Sequence, residues 1–254
     1  MGIFDFLKPK HTTENLSGNT PSDTFICDID KTAVIEALFE VPKASRDAAW
    51  REQFLENVET ACFASTNPQV MTGPDGFPYF VLKTPEHNVR FESFCIRELK
   101  NKFLLEKGIG VSINPTENDA DWVFTYGDIV NLHLNNEFYT SGDAVDIEYS
   151  VTLQSNEEWL IAQPSEEYLP AATRRNLKRF LQSIGIEQPK IMLVVRPIHG
   201  QMVKELLINI FREDFDSDQQ FQHRLNQISW LLPRHYIILV ITKDHELVSK
   251  FQDL

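Results

Sequence analysis

Two stripes of hydrophobic residues at helical spacing follow a polar amino-terminal segment. The first stripe predicts a helix that ends at Pro42, and its members are Val34, Ile35, Leu38 and Phe39. The second stripe runs in steps of four residues from Trp50 to Cys62, which predicts an amphipathic helix capped by Ser45. A third helix is expected over residues 91–107, with Ile96, Leu99 and Phe103 facing inward and Gly108 at its end.

Extended segments are predicted between and after these helices. The sequence Gly73-Pro-Asp-Gly76 is typical of a tight turn, and apolar residues flank it on both sides. Short apolar runs predict further strands at residues 109–113, 122–126 and 145–153. The amino-terminal part of the chain is therefore expected to mix helices and strands.

The carboxyl-terminal part has a clearer order of elements. Apolar spacing and turn residues predict a helix opened by Ser165, two strands, a second helix and a third strand. The corresponding ranges are 165–184, 191–195, 204–211, 221–232 and 236–241. An α-β-β-α-β order of this kind predicts an open sheet with its helices on one face.

The segment Pro164-Ser-Glu-Glu-Tyr-Leu-Pro170, followed by this α-β-β-α-β order, resembles the carboxyl-terminal half of bacterial SseB-like proteins. The resemblance covers about a third of the chain and rests on the order of elements. It implies a bacterial protein, and it assigns no role to any residue.

The distribution of charge divides the chain into two regions. Residues 1–160 carry 26 acidic and 12 basic side chains, whereas residues 161–254 carry 11 and 12. We therefore expect an α+β protein of two closely associated units. The predicted boundaries are a flexible arm at residues 1–24, an acidic unit at 25–160 and the α-β-β-α-β unit at 165–254.

A stretch without positive side chains is the strongest functional signal. Residues 108–173 contain no lysine or arginine and twelve acidic residues. Such a segment produces a negative field that favours cationic partners and disfavours nucleic-acid phosphates. The basic cluster that follows it, residues 174–179, is expected to lie against the acidic unit. Our leading hypothesis is a non-enzymatic interaction or regulatory protein that needs no cofactor and whose partner has a basic surface.

The cysteines and the chain start give an expected location. Cys27, Cys62 and Cys95 are odd in number and far apart, which is typical of buried, unpaired thiols in a reducing compartment. The first residues are too few and too acidic for a signal peptide, and no apolar run reaches the length of a membrane span. We therefore expect a bacterial cytoplasmic protein that does not bind membranes.

One motif offers an enzymatic alternative. The segment Phe25–Thr32 resembles the first motif, D-x-D-x-T, of haloacid-dehalogenase-type phosphatases. The resemblance implies that Asp28 attacks phosphorus, that Asp30 protonates the leaving group and that Mg²⁺ neutralises the phosphate. Thr84 and Asp128 would complete the catalytic set, with a lysine at Lys102 or Lys107. The structural alternative is that Asp28 and Asp30 cap the following helix.

Three further groups of residues could bind ligands. The acidic segments 118–121 and 143–148 could hold a divalent cation, but both lack the spacing of a calcium loop and are expected to be solvated loops. Beside the Gly73–Gly76 turn, Asp75, Phe77 and Tyr79 could anchor a partner, or the two aromatic rings could enter the core. Arg196 and His199 could bind an anion, or they could flank a hairpin turn between two strands.

Overall fold

The computed structural model describes residues 27–117, 119–140, 159–198 and 201–254. Within these ranges the protein has the predicted α+β fold, with helices and two separate sheets. The predicted flexible arm and the predicted strand at residues 145–153 lie outside the described residues.

The first sheet has four strands in the order β1 (Ala64–Thr72), β2 (Pro78–Lys83), β3 (Gly110–Ile113) and β4 (Trp122–Phe124). Strands β2 and β3 are parallel, and the other neighbouring pairs are antiparallel. Strands β1 and β2 are joined at the predicted turn, where Gly76 adopts φ +83°. A side chain is disfavoured at this angle, so the glycine is needed there.

Helices α1 (Ile29–Phe39) and α2 (Ala48–Val58) correspond to the two predicted helices and pack against each other. Helix α2 ends at Val58, so the last residue of its predicted stripe, Cys62, lies beyond the helix. The cap of α2 is Asp47 and not Ser45, because the Asp47 carboxylate accepts a hydrogen bond from the Trp50 backbone N–H at 2.8 Å. Ser45 instead ends a short 3₁₀ turn that leads into the cap. The prediction of Ser45 as the cap was therefore wrong.

The structure also corrects the prediction of three unpaired thiols. Cys27, before the start of α1, and Cys62, after the end of α2, form a disulfide across a sequence separation of 35 residues. The start of α1 lies beside the end of α2, so the two Cα atoms are 5.1 Å apart. Cys95 is unpaired and buried, as expected. The pairing removes the cysteine-based reason to expect a reducing compartment.

The third predicted helix begins later than expected. It consists of α3 (Ile96–Leu99), a π-helical turn (Lys100–Leu104) and α4 (Leu105–Lys107). Residues before it are extended, because the backbone of Phe94 pairs with that of Phe63 in two 2.8 Å hydrogen bonds. Gly108 ends the helix in the left-handed conformation, as predicted.

The second sheet pairs β5 (Leu160–Ala162), β6 (Lys190–Ile198), β7 (Gln201–Ile208) and β8 (Ile237–Ile238), and β9 (Gln252–Asp253) pairs with β6. Helices α6 (Ala171–Ser183) and α7 (Asp218–Trp230) complete the predicted order. Helix α6 starts after Pro170 and not at Ser165, because a proline disfavours helical geometry in the residue before it. No helix in the described ranges is long and apolar enough to cross a membrane.

The two faces of the second sheet are covered differently. Leu177 of α6 and Leu225 of α7 are buried in one hydrophobic cluster with Leu193 and Leu206 of the strands. The opposite face packs against the carboxyl-terminal segment, which includes the 3₁₀ helix Glu246–Lys250. The α-helices therefore lie on one face, as predicted.

The two regions are packed together through one hydrophobic cluster that contains residues from both. Phe77 stacks on Trp230 with ring centres 4.0 Å apart, and Trp230 donates from Nε1 to the Tyr79 hydroxyl at 2.6 Å. Gly127 lies directly against the backbone of Leu232, where a Cβ atom would be 1.9 Å from the Leu232 carbonyl oxygen. This close packing brings residues from both regions to one surface.

Candidate functional site

Asp28 and Asp30 lie at the start of α1. Asp28 accepts hydrogen bonds from the backbone N–H groups of Asp30, at 3.0 Å, and Lys31, at 3.3 Å. Asp28 is therefore the amino-terminal cap of the helix, whereas the Asp30 side chain is exposed in its first turn. This is the cap geometry that the structural alternative predicted for Asp28.

Thr84 and Asp128 lie at opposite ends of the first sheet. Thr84 follows the carboxyl end of β2, and its backbone nitrogen donates to the side-chain oxygen of Asn114 at 2.9 Å. Asp128 follows β4, which runs antiparallel to β3, so it lies near the amino ends of β2 and β3. Lys102 forms an ion pair with Glu98. The residues implied by the phosphatase resemblance are thus not brought together, and the described residues contain no group of three metal-ligating side chains.

The residues beside the Gly73–Gly76 turn face inward. Phe77 and Tyr79 are buried at the junction of the two regions, and the Asp75 carboxylate accepts the hydroxyl hydrogen of Tyr79. Burial and this hydrogen bond raise the pKa of Tyr79 far above its usual value. Of the two alternatives for these aromatic rings, the structure therefore shows the second, in which both rings enter the core.

Arg196 is also internal. Its guanidinium forms a bidentate pair with Glu205 on the neighbouring strand, at 2.7 and 3.0 Å, and both side chains are buried. Strands β6 and β7 pair up to Ile198 and Gln201, in agreement with the predicted hairpin. His199 lies outside the described residues.

Part of the predicted negative charge is neutralised inside the molecule. Asp119 pairs with Lys43, and Asp121 pairs with Arg46 at 2.8 Å. In the basic cluster of α6, Arg175 pairs with Glu106 at 2.7 Å. The described part of the acidic region nevertheless has more carboxylates than these contacts use, so the position of the remaining ones decides where a cation would bind.

A groove runs between α2 and the end of α5 (Tyr126–Asn135) with the residues that follow it. One wall is a single face of α2, at positions 48, 51, 52, 55, 56 and 59. This face extends over about 16 Å of helix. The floor is apolar and is formed by Leu55, Leu132 and Phe138, and the groove volume is about 550 Å³. An amphipathic helix can lay its apolar face into a groove that has an apolar floor.

Carboxylates line the rims of this groove. Glu52 and Glu56 project from α2, and Glu137 projects from the opposite wall. All three are exposed, and none forms an ion pair with any residue in the described ranges. The fourth carboxylate, Glu59, is held by Arg97 at 2.8 Å. Three uncompensated negative charges therefore surround an apolar floor, and we call this surface the acidic groove.

One end of the acidic groove has the opposite charge. The guanidinium groups of Arg51 and Arg234 lie over the ring of Tyr139, at 4.8 and 4.6 Å from its centre. Arg234 donates two hydrogen bonds, of 2.7 and 2.8 Å, to the fully buried carboxylate of Asp128. These bonds raise the pKa of Arg234, and burial raises the pKa of Tyr139 to about 12.

A buried lysine contacts the backbone of α5 next to the groove. Lys100, in the π-helical turn, is 7% exposed, and its Nζ atom donates to the backbone oxygen of Leu132 at 3.5 Å. Burial lowers the pKa of Lys100. The lysine thus helps to hold the end of α5, which forms one wall of the groove.

The sequence pattern indicated an acidic binding face but not its place. Of the groove carboxylates only Glu137 lies in the lysine- and arginine-free stretch, whereas Glu52 and Glu56 belong to a helix for which only a buried stripe was predicted. The spacing of Glu52, Leu55 and Glu56, three and four residues apart, places them on one face of α2 and could have indicated this wall of the groove. The groove needs the opposite wall as well, and no local pattern predicts that packing.

Comparison with protein-family models, curated proteins and solved structures finds no match to this chain. Neither resemblance noted in the sequence is therefore supported by a related protein.

Proposed function

We propose that this protein is an interaction module that binds a basic, amphipathic segment of a partner protein in the acidic groove. The observation that carries the proposal is the combination of an apolar floor with three unpaired carboxylates on its rims. A segment with leucine-like and lysine-like side chains would satisfy both features at once.

The two features would act on different aspects of binding. Apolar side chains placed against Leu55, which is half-buried, would gain about 25 cal/mol for each Å² removed from water. Lysine or arginine side chains near Glu52, Glu56 and Glu137 would select against acidic segments and speed association. The net charge of −13 extends this selection beyond the groove itself.

The dimensions of the groove agree with a short helical or extended segment. Its helical wall is about 16 Å long, which matches roughly three turns of a bound helix or about five extended residues. Recognition by a helix laid into an apolar groove depends on side chains spaced three and four residues apart. We therefore expect apolar residues at that spacing in the partner, flanked by basic ones.

A designed peptide tests this proposal even though the natural partner is unidentified. The probe is a fluorescent peptide of about 18 residues, with leucine at helical spacing and lysine elsewhere. Its dissociation constant is measured by fluorescence anisotropy for the wild type and for the variant Glu52→Gln/Glu56→Gln/Glu137→Gln. We expect the triple variant to bind about tenfold more weakly, because three charge contacts are lost.

The matched control is Glu40→Gln/Glu86→Gln/Glu92→Gln. These glutamates are exposed and lie outside the groove, and the variant changes the net charge by the same amount. The control should bind the peptide almost as tightly as the wild type. Equal weakening in both triple variants would show non-specific attraction and would contradict a site in the groove.

A further inference from the structure

Arg51 stands apart from the other basic residues around the groove. It is exposed on α2, its guanidinium lies over the Tyr139 ring, and it forms no ion pair with any residue in the described parts of the chain. Arg97 and Arg46, in contrast, are both engaged by carboxylates. An unpaired guanidinium fixed on an aromatic ring is a pre-positioned donor for an oxyanion.

Among the described residues that border this end of the groove, Arg51 carries a positive charge that no ion pair compensates. Arg234 contributes a second guanidinium, but the buried carboxylate of Asp128 compensates it through two hydrogen bonds. Glu52 and Glu137 line the groove beside Arg51. This balance fits a singly charged carboxylate better than a doubly charged phosphate, because a second negative charge would be repelled by the neighbouring glutamates.

A cavity of about 280 Å³ adjoins Arg51 and continues the groove. Arg51, Phe138, Tyr139 and Thr140 border both spaces, so the cavity is adjacent to the groove. The cavity is also lined by the polar side chains of Asn131 and Thr140. It can hold a carboxylate and one side chain, since a water molecule takes up about 30 Å³.

We propose that the bound segment is the carboxyl terminus of the partner, with its terminal carboxylate held by the guanidinium of Arg51. This inference rests on the proposed function, because it names which part of a basic partner enters the acidic groove. The carboxylate lies at the Arg51 end, and the preceding residues follow α2 towards Glu59. Arg51 is then the residue that distinguishes a chain end from an internal basic segment.

The test compares two forms of the leucine–lysine peptide, one with a free carboxyl terminus and one with a terminal carboxamide. Both carry the fluorophore at the amino terminus, and both are measured against the wild type, Arg51→Gln and the control Arg90→Gln. Arg90 is exposed and lies outside the groove, so the control removes the same charge elsewhere. We expect the wild type and Arg90→Gln to bind the free acid about tenfold more tightly than the amide.

In Arg51→Gln this preference should fall to about one, because the guanidinium that distinguishes the two peptides is gone. Equal affinity of the wild type for the two peptides would overturn the inference but not the proposed function, provided that the groove triple variant still binds weakly. An undiminished preference in Arg51→Gln would also overturn it, because another group would then hold the carboxylate. Failure of both peptides to bind the wild type would contradict both proposals.

Discussion

At the scale of single residues, the contact between Asp128 and Arg234 fixes the positive end of the groove. Asp128 also belongs to the capping box of α5, in which it accepts a hydrogen bond from the Thr125 backbone nitrogen at 2.9 Å. Arg234 is 55% exposed, whereas the Asp128 side chain is fully buried. Loss of the arginine would therefore leave a buried carboxylate with hydrogen bonds but without a counter-ion.

The variant Arg234→Met tests this contact. We expect it to lower the free energy of unfolding by about 2 kcal/mol, less than for a fully buried pair because the arginine is half-exposed. Urea denaturation measures the change, and Arg179→Met, at an exposed position of α6, is the control with an expected change below about 0.5 kcal/mol. Adding Asp128→Asn to Arg234→Met should recover part of the loss. If the single variant is as stable as the wild type, the pair does not hold this end of the groove.

At the scale of elements, Gly127 sets how closely α5 approaches the segment after α7. Alanine normally stabilises a helix interior by about 1 kcal/mol relative to glycine. At this position the added Cβ atom would lie 1.9 Å from the Leu232 carbonyl oxygen, so the two backbones would have to separate. We expect Gly127→Ala to destabilise the protein by about 2–3 kcal/mol, measured by thermal or urea unfolding. A stabilised Gly127→Ala variant would show that the two elements are not in contact.

Local sequence patterns predict some of these elements but not all of them. The stripes of α1 and α2 and the positive-φ glycines Gly76 and Gly108 are local signals, and the structure confirms the elements that they predict. The start of the third helix was missed because the extended backbone of Phe94 is fixed by its pairing with Phe63, a contact between distant residues. The position of Phe77 and Tyr79 in the core likewise depends on Trp230, far along the chain. Patterns within a window of sequence carry no information on such contacts.

At the scale of the whole molecule, the burial of the tyrosines links the stability of the fold to pH. Burial raises the pKa of every described tyrosine, namely Tyr79, Tyr126, Tyr139, Tyr168 and Tyr236. Above about pH 10 an unfolded chain loses phenolic protons that the folded protein retains, so the free energy of unfolding decreases as the pH rises. We expect these phenols to ionise together as the protein unfolds, with absorbance at about 295 nm changing in step with circular dichroism. Gradual ionisation near pH 10 in a folded protein would contradict this packing.

The fold determines which of the acidic residues keep an unpaired negative charge. The lysine- and arginine-free stretch indicated a negative surface, yet Asp119, Asp121 and Asp128 of that stretch are paired with basic residues from other parts of the chain. The unpaired carboxylates that line the groove come mainly from α2. Net charge along the sequence thus predicts a basic partner, whereas the place of contact that we propose depends on which acids the fold neutralises.

The salt dependence of peptide binding tests whether the acidic groove is the binding site, because it reports how many charge contacts the groove makes. The dissociation constant of the leucine–lysine peptide is measured between about 50 and about 300 mM NaCl for the wild type and for Glu52→Gln/Glu56→Gln/Glu137→Gln. We expect wild-type affinity to fall steeply with salt and the triple variant to show a much shallower slope. Parallel slopes for the two proteins would show that these three glutamates do not contact the peptide, which would contradict binding in the acidic groove.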